Sequence, residues 1–107
     1  MHRDLIGAAL TSATNTDSEE NDKTPFMPGS NIVVCIEFTG TANMTAKIEG
    51  SVDDSTWTDL FAPGAVVFAA NEHTEVTSAT VVCPKYIRGK VTAHSTGTVK
   101  FYKMNAL

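Results

Sequence analysis

Residues 31–51 read NIVVCIEFTGTANMTAKIEGS, and this stretch decides the fold class. Its first part, residues 31–39, is almost continuously apolar, which is typical of a strand covered on both faces. Gly40–Ala42 has the composition of a turn. Asn43–Ser51 then alternates apolar and polar side chains with the two-residue period of a half-buried strand. The stretch therefore predicts two antiparallel strands joined by a turn.

The same pattern of short strands and turns continues to the C-terminal end of the sequence. The chain has fifteen Thr and ten Val but only four Leu, a composition that favours pleated sheets over helices. Turns, among them Pro63–Gly64, Asn71–Glu72 and Ser95–Gly97, separate the further predicted strands, which are residues 57–61, 65–69, 74–83, 85–94 and 98–104. In the strand of residues 85–94, Ile87, Val91 and Ala93 are predicted to face inward. We therefore predict an all-β fold, an antiparallel β-sandwich or jelly roll of seven to eight strands.

Length and composition exclude several classes of protein. The chain has 107 residues and a mass of 11.4 kDa, which is room for one domain. No apolar run approaches the roughly 20 residues of a spanning helix, so we predict no membrane association through such a segment. The basic residues between Lys85 and Lys103 alternate with apolar ones along predicted strands, rather than clustering as nucleic-acid-binding stripes do. We therefore predict no nucleic-acid partner.

Residues 1–30 differ from the rest and are predicted to form an extended N-terminal arm on a sandwich domain of residues 31–107. Residues 1–22 hold five acidic side chains and one arginine, so the whole net charge of −4 lies there. Residues 11–25 contain Ala13 as their only apolar side chain, and such a segment is expected to be mobile in isolation. An apolar patch nevertheless precedes it, which indicates an arm that docks on a partner. The patch contains Leu5, Ile6, Ala8, Ala9 and Leu10, with Leu5, Ile6 and Leu10 as its large side chains.

The N-terminus does not have the form of a signal peptide, because Asp4 follows Arg3 and the apolar stretch after them is short. We therefore expect a reducing compartment for the two cysteines, Cys35 and Cys83. Each lies in an apolar run, which favours two buried free thiols. A disulfide between neighbouring strands remains the alternative.

Two groups of residues resemble metal sites only weakly. The sequence EGSVDDSTW, residues 49–57, brings Glu49, Asp53 and Asp54 close together, with Asp59 beyond them. Oxygen ligands suit calcium, but the spacing is not that of an EF-hand loop, and a hairpin turn explains the same residues. The second group is His2, His73 and His94, which we interpret as isolated surface side chains. We predict no metal and no cofactor.

The sequence contains none of the common catalytic motifs, neither a nucleophile elbow nor a phosphate-binding loop nor a paired-histidine zinc motif. We therefore expect a protein that is not an enzyme. Three aromatic residues, Trp57, Tyr86 and Tyr102, are candidates for a flat ligand platform of the kind that binds sugars. The two tyrosines are predicted on outward faces, where cross-strand packing would also explain them, and Trp57 would also serve as a core anchor after its turn.

The stretch AKIEGSVDDSTW, residues 46–57, resembles a pattern of small bacteriophage virion proteins, in which a strand leads through an acidic turn to a tryptophan. Pro84–Arg88, with Val91–Thr92 and Thr96–Val99, is similar to their closing hairpin. The likeness is to phage head decoration proteins, also called cement proteins, and covers about half of the chain. Asp54 stands where the pattern often has glycine, so the type of turn differs.

This resemblance implies a non-enzymatic virion protein made in the host cytoplasm. It would sit on the capsid surface as a homotrimer and stabilise the junctions between copies of the major capsid protein. Leu5, Ile6 and Leu10 would anchor the arm there, while Asp17, Glu19 and Glu20 would steer it toward a basic patch. Two alternatives are a carbohydrate-binding sandwich of a host-recognition fibre, using Trp57, Tyr86 or Tyr102, and a tail-tube or tail-completion subunit.

Overall fold

A computed structural model describes residues 3–68 and 75–105, and these residues form an antiparallel β-sheet. The predicted all-β antiparallel class is confirmed. The described part of the chain includes no helix long and apolar enough to cross a membrane. The predicted turn at Asn71–Glu72 lies outside the described residues. The strands are β1 (Arg3–Leu5), β2 (Glu19–Glu20), β3 (Asn31–Ser51), β4 (Thr58–Val67), β5 (Glu75–Val82) and β6 (Tyr86–Asn105).

Three of the predicted turns lie inside observed strands: Pro63–Gly64 lies within β4, and the other two are bends inside long strands. Strand β3 runs unbroken through Gly40–Ala42, and strand β6 runs unbroken through Ser95–Gly97. Gly40 and Gly97 have φ angles of 81° and 99°, and the pairing register of β3 and β6 shifts between them. Positive φ at glycine lets the backbone change direction without ending the strand, as in a β-bulge. Six predicted strands thus form three observed ones, and the unpredicted β1 and β2 bring the number of elements to six.

The bends fold the sheet into two halves that face each other across the core. In the first half, residues 31–39 of β3 lie between β5 and residues 98–105 of β6. In the second half, residues 43–51 of β3 lie between β4 and residues 86–96 of β6. The buried apolar side chains of both halves belong to one cluster, whose largest members include Phe38, Phe101, Ile32, Ile36, Ile48 and Ile87.

The predicted inward faces of the long strands are buried, with one exception. Ala93 was expected to point inward with Ile87 and Val91, but it is exposed. The register explains this difference, because Thr45 pairs with Ala93 whereas Ala46 pairs with Val91. The extra residue on β6 breaks the alternation, so the side chains on either side of it no longer share a face.

The N-terminal segment, residues 3–20, runs antiparallel along nearly the whole length of β6. Arg3 pairs with Met104, Leu10 bridges to Val99, Asn15 bridges to Lys90, and Glu20 pairs with Tyr86. The segment therefore forms an irregular edge of both halves of the sheet. This placement differs from the mobile arm that its polar composition suggests, because paired backbone groups and a few buried side chains hold it.

Candidate functional site

The predicted platform aromatics lie on two different outer faces. Tyr86 pairs with Ser51, and Trp57 directly precedes Thr58, which pairs with Gly50, so both belong to the second half of the sheet. Tyr102 pairs with Cys35 and belongs to the first half. The structure therefore places Trp57 and Tyr86 near one face and separates Tyr102 from them.

Trp57 belongs to a compact group of charged side chains on strands β3, β4 and β6. The Arg88 guanidinium lies 4.2 Å from the centre of the Trp57 ring, and Arg88 Nε donates a 2.8 Å hydrogen bond to Glu49 Oε1. Lys47 Nζ lies 3.5 Å from Glu49 Oε2 and 2.7 Å from Asp59 Oδ1. We call these five residues the Trp57 cluster. Its acidic members stand out in the sequence, whereas Arg88 and Lys47 join them only through the cross-strand register.

Glu49 is the buried member of the Trp57 cluster. Glu49 is only 4% exposed. Removing a carboxylate from water is energetically costly unless nearby cations and hydrogen bonds offset the lost hydration. Arg88 and Lys47 provide that compensation on its two oxygens. The hydrogen bond to Asp59 is the main cause that raises the pKa of Lys47 above its usual value, so Lys47 stays charged. The half-buried Trp57 is thus fixed by an ion-pair network instead of by the hydrophobic core.

The two tyrosines also carry cations above their rings. The Arg3 guanidinium lies 3.6 Å from the centre of the Tyr102 ring, and its Nη2 is 3.3 Å from Glu37 Oε2. Lys85 Nζ lies 5.7 Å from the centre of the Tyr86 ring. Such contacts contribute about 0.5–1 kcal/mol each at exposed sites. A stacking ligand would have to use the opposite ring faces or displace these cations.

The predicted docking residues of the N-terminal segment divide into buried and exposed members. Ile6 is fully buried and Leu10 nearly so, whereas Leu5 is 42% exposed. The Ile6 amide donates a 2.7 Å hydrogen bond to the Phe101 carbonyl, and Leu10 exchanges two backbone bonds with Val99. The apolar patch therefore contacts the chain's own core through Ile6 and Leu10, whereas Leu5, Ala8 and Ala9 are exposed.

A buried lysine fixes the end of this segment. Lys103 Nζ donates a 2.6 Å hydrogen bond to Asn21 Oδ1 and lies 3.3 Å from Glu19 Oε1. Glu19 Oε2 accepts a 2.8 Å bond from the Gly7 amide, and Asn21 Nδ2 donates to the Pro84 carbonyl. Glu19 is therefore a structural ion-pair partner, whereas Asp17 and Glu20 are exposed. Nothing in the sequence pattern marked Asn21 or Lys103.

A cavity of about 280 Å³ opens beside this ion pair, lined by Glu20–Lys23, Phe26 and Lys103. A second cavity of about 220 Å³ has an apolar lining of Gly50, Leu60 and Pro84. Ser51, Val52 and Thr56, at the two ends of the acidic turn (Ser51–Thr56), also line it. Both cavities are small and open, which limits them to shallow contacts.

The acidic turn is held together by its own hydrogen bonds. Asp53 Oδ1 accepts bonds from the amides of Thr56 and Ser55, at 2.8 and 3.0 Å, and from the Ser51 hydroxyl. These bonds, the one from Thr56 first, lower the pKa of Asp53 below its usual value. The interpretation of this stretch as a turn is confirmed. Among residues 3–68 and 75–105, no three His, Cys, Asp or Glu side chains are grouped to hold a metal ion.

Cys35, Cys83 and His94 all have surroundings that explain them as structural residues. Cys35 and Cys83 are both buried free thiols, and burial is the main cause that raises the pKa of each. The disulfide alternative is therefore wrong. His94 Nε2 lies 2.9 Å from the Gly97 carbonyl oxygen, at the bend of β6. His2 and His73 lie outside the described residues.

Comparison with known proteins shows that this chain is similar to several solved structures in fold. No protein-family model matches the chain. No curated protein matches it either. The SPBc2 prophage-derived protein YomS is similar over 96% of this chain and 90% of its own, with a TM-score of 0.61 and 11% identity.

Two further solved structures share the fold. The C-terminal CBM6 of LamC, a laminarinase from the marine organism Zobellia galactanivorans, matches over 96% of this chain and 99% of its own, with a TM-score of 0.54 and 12% identity. A putative alpha-L-fucosidase from Bacteroides thetaiotaomicron matches over 94% of this chain but only 22% of its own, with a TM-score of 0.52 and 13% identity.

Proposed function

We propose that this chain is a non-enzymatic structural protein of a phage particle that binds the major capsid protein on the outside of the shell. The observation that carries the proposal is the whole-chain likeness to a prophage-derived protein of similar extent, over 96% of one chain and 90% of the other. The local resemblance of residues 46–57 and 84–99 to head decoration proteins points to the same class and adds the capsid surface as the location.

The N-terminal edge is the surface that fits the capsid-binding role. It carries the exposed Leu5 and the exposed carboxylates of Asp17 and Glu20, while Ile6 and Leu10 hold it on the body. An ordered edge loses little conformational freedom on binding, so more of the contact energy contributes to affinity than for a flexible arm. Its negative charge would steer it toward a basic patch of the capsid.

Sedimentation of the protein with empty capsids tests this surface. We expect Leu5→Ser and the double variant Asp17→Asn/Glu20→Gln each to reduce the bound fraction at subsaturating concentration. Matched controls change equivalent residues elsewhere, Val67→Ser on β4 and Asp54→Asn in the acidic turn, and should bind as the unmodified protein does. Equal binding by all four variants would remove the N-terminal edge from the proposal.

Glycan binding is the second candidate, favoured by the Trp57 cluster. That cluster places an aromatic ring beside hydrogen-bonding carboxylates and cations on one face of a fold shared with a CBM6 module. Trp57 is the only tryptophan, so its fluorescence reports on this face alone. A saturable emission shift with host-surface glycans, lost in Arg88→Ala, would establish this function. The capsid proposal predicts no shift.

A further inference from the structure

The edges of the sheet within the described residues differ in how they resist pairing with another chain. The N-terminal edge pairs with β6 only in short stretches and carries the exposed acidic residues Asp17 and Glu20. The β4 edge contains Pro63, a Gly64 with a φ of 100°, and two register shifts against β3. Proline, bulges and charges are the usual means by which proteins prevent edge-to-edge association.

After its first residue, Glu75, strand β5 has none of these protective features. It pairs with residues 31–38 of β3 in one continuous register, and within the described residues it pairs with no other strand. Residues 76–82 contain no proline, no glycine and no charged side chain. Ser78, Thr80 and Val82 are exposed, the last by 59%. An uncharged edge of this regularity is a ready template for another strand.

The sequence of β5 is complementary to itself in the antiparallel direction. Around Ala79, the order Thr77-Ser78-Ala79-Thr80-Val81 places Thr77 opposite Val81 and Ser78 opposite Thr80 when two copies meet. Hydroxyl pairs and pairs of β-branched side chains are among the favourable cross-strand neighbours. In a two-fold symmetric dimer both subunits use the same surface, so that surface must be complementary to itself.

We propose that β5 of one copy pairs antiparallel with β5 of a second copy, across a two-fold axis at Ala79. The sheet would then continue from one subunit into the next. Charge favours this edge over the others, because the net charge of −4 lies in residues 1–22 and would make two N-terminal edges repel each other. This contact is independent of the capsid proposal and would also join copies that belong to neighbouring trimers.

Disulfide trapping in the full-length protein tests the contact directly. Residues opposite each other in an antiparallel pair have Cα atoms about 4.5–5.5 Å apart, which a disulfide can span. We expect Ala79→Cys to form a covalent dimer under mild oxidation, seen on a non-reducing gel. The matched control Ala65→Cys, exposed on the β4 edge, should remain monomeric. Equal cross-linking of both variants would overturn the proposal.

Light scattering provides a second measurement that needs no disulfide. We expect an even number of chains in the unmodified protein and half that mass in the double variant Ser78→Lys/Thr80→Lys, whose lysines would face each other across the axis. Ala62→Lys/Ala65→Lys on β4 is the control and should keep the full mass. A mass of one or three chains for the unmodified protein, or an unchanged mass in Ser78→Lys/Thr80→Lys, would overturn the proposal.

Discussion

The ring of Phe101 lies directly against the backbone of Gly89. The two residues belong to the same strand, β6, but to opposite halves of the bent sheet. A Cβ atom at Gly89 would overlap the ring, so the absence of a side chain there lets the halves approach each other. This contact joins the two halves of the sandwich at a point where Phe101 is fully buried.

Replacement of Gly89 by alanine should therefore destabilise the fold through overpacking. The expected loss is about 1–3 kcal/mol in the free energy of unfolding, measured by urea denaturation. Adding Phe101→Leu to Gly89→Ala should recover part of that loss, because the smaller side chain leaves room for the methyl group. A Gly89→Ala variant within about 0.5 kcal/mol of the unmodified protein would show that the halves do not meet at this point.

Ile6→Ala should destabilise the protein strongly although it lies near the N-terminus. Ile6 is fully buried, and truncation of such a side chain costs about 2–5 kcal/mol. Leu5→Ala is the matched control, since Leu5 is partly exposed and should lose less than about 1 kcal/mol. Similar small losses in both variants would mean that the N-terminal segment is detached from the body in solution.

The sequence pattern predicted the all-β class and most of the inward-facing residues. It did so because one face of β3 and of β6 is buried, which makes apolar and polar residues alternate along them. It predicted hairpin turns at Gly40 and Gly97, because glycine occurs both in hairpin turns and in bends within a strand. Only the long-range pairing of β3 with β6 shows that these two positions are bends. The register shift that exposes Ala93 has the same origin and leaves no local signal.

The N-terminal segment shows a different limit of sequence reasoning. An apolar patch such as that around Ile6 and Leu10 indicates that something covers it, but local pattern does not say whether that is another protein or the same chain. The Trp57 cluster and the Lys103 ion pair depend on residues far apart in sequence. Arg88 reaches Glu49, and Lys103 reaches Glu19, through strand register alone.

The hydrogen bonds of Asp53 in the acidic turn should make the free energy of unfolding depend on pH in the acid range. The hydrogen bonds to Asp53 lower its pKa in the folded protein below the usual 3.8. A lowered folded-state pKa stabilises the protein above pH 3.8, and the contribution is lost as the pH falls through the folded-state value. Carboxyl titration by NMR should show the low pKa, and Asp53→Asn should remove this contribution from the pH profile of thermal unfolding. A measured pKa of 3.8 or higher would contradict the turn geometry.

The buried cysteines should react slowly with thiol reagents in the native protein. Burial raises the pKa of Cys35 and Cys83 and shields their Sγ atoms, so little thiolate is available. We expect no labelling on a scale of minutes at pH 7.5 and complete labelling of both in denaturant. Rapid native labelling, or a failure to label until a reductant is added, would contradict the free buried state.

The most direct test of the proposed capsid binding compares shells assembled from the major capsid protein of the genome that carries this sequence, imaged by cryo-electron microscopy with and without the added protein. We predict extra density at regularly repeated positions on the outer surface, each matching a body of 39 × 30 × 19 Å. The occupancy should saturate with concentration and fall at high salt, because the acidic edge contributes to binding. Identical maps at saturating protein would contradict the proposal that the chain binds the capsid.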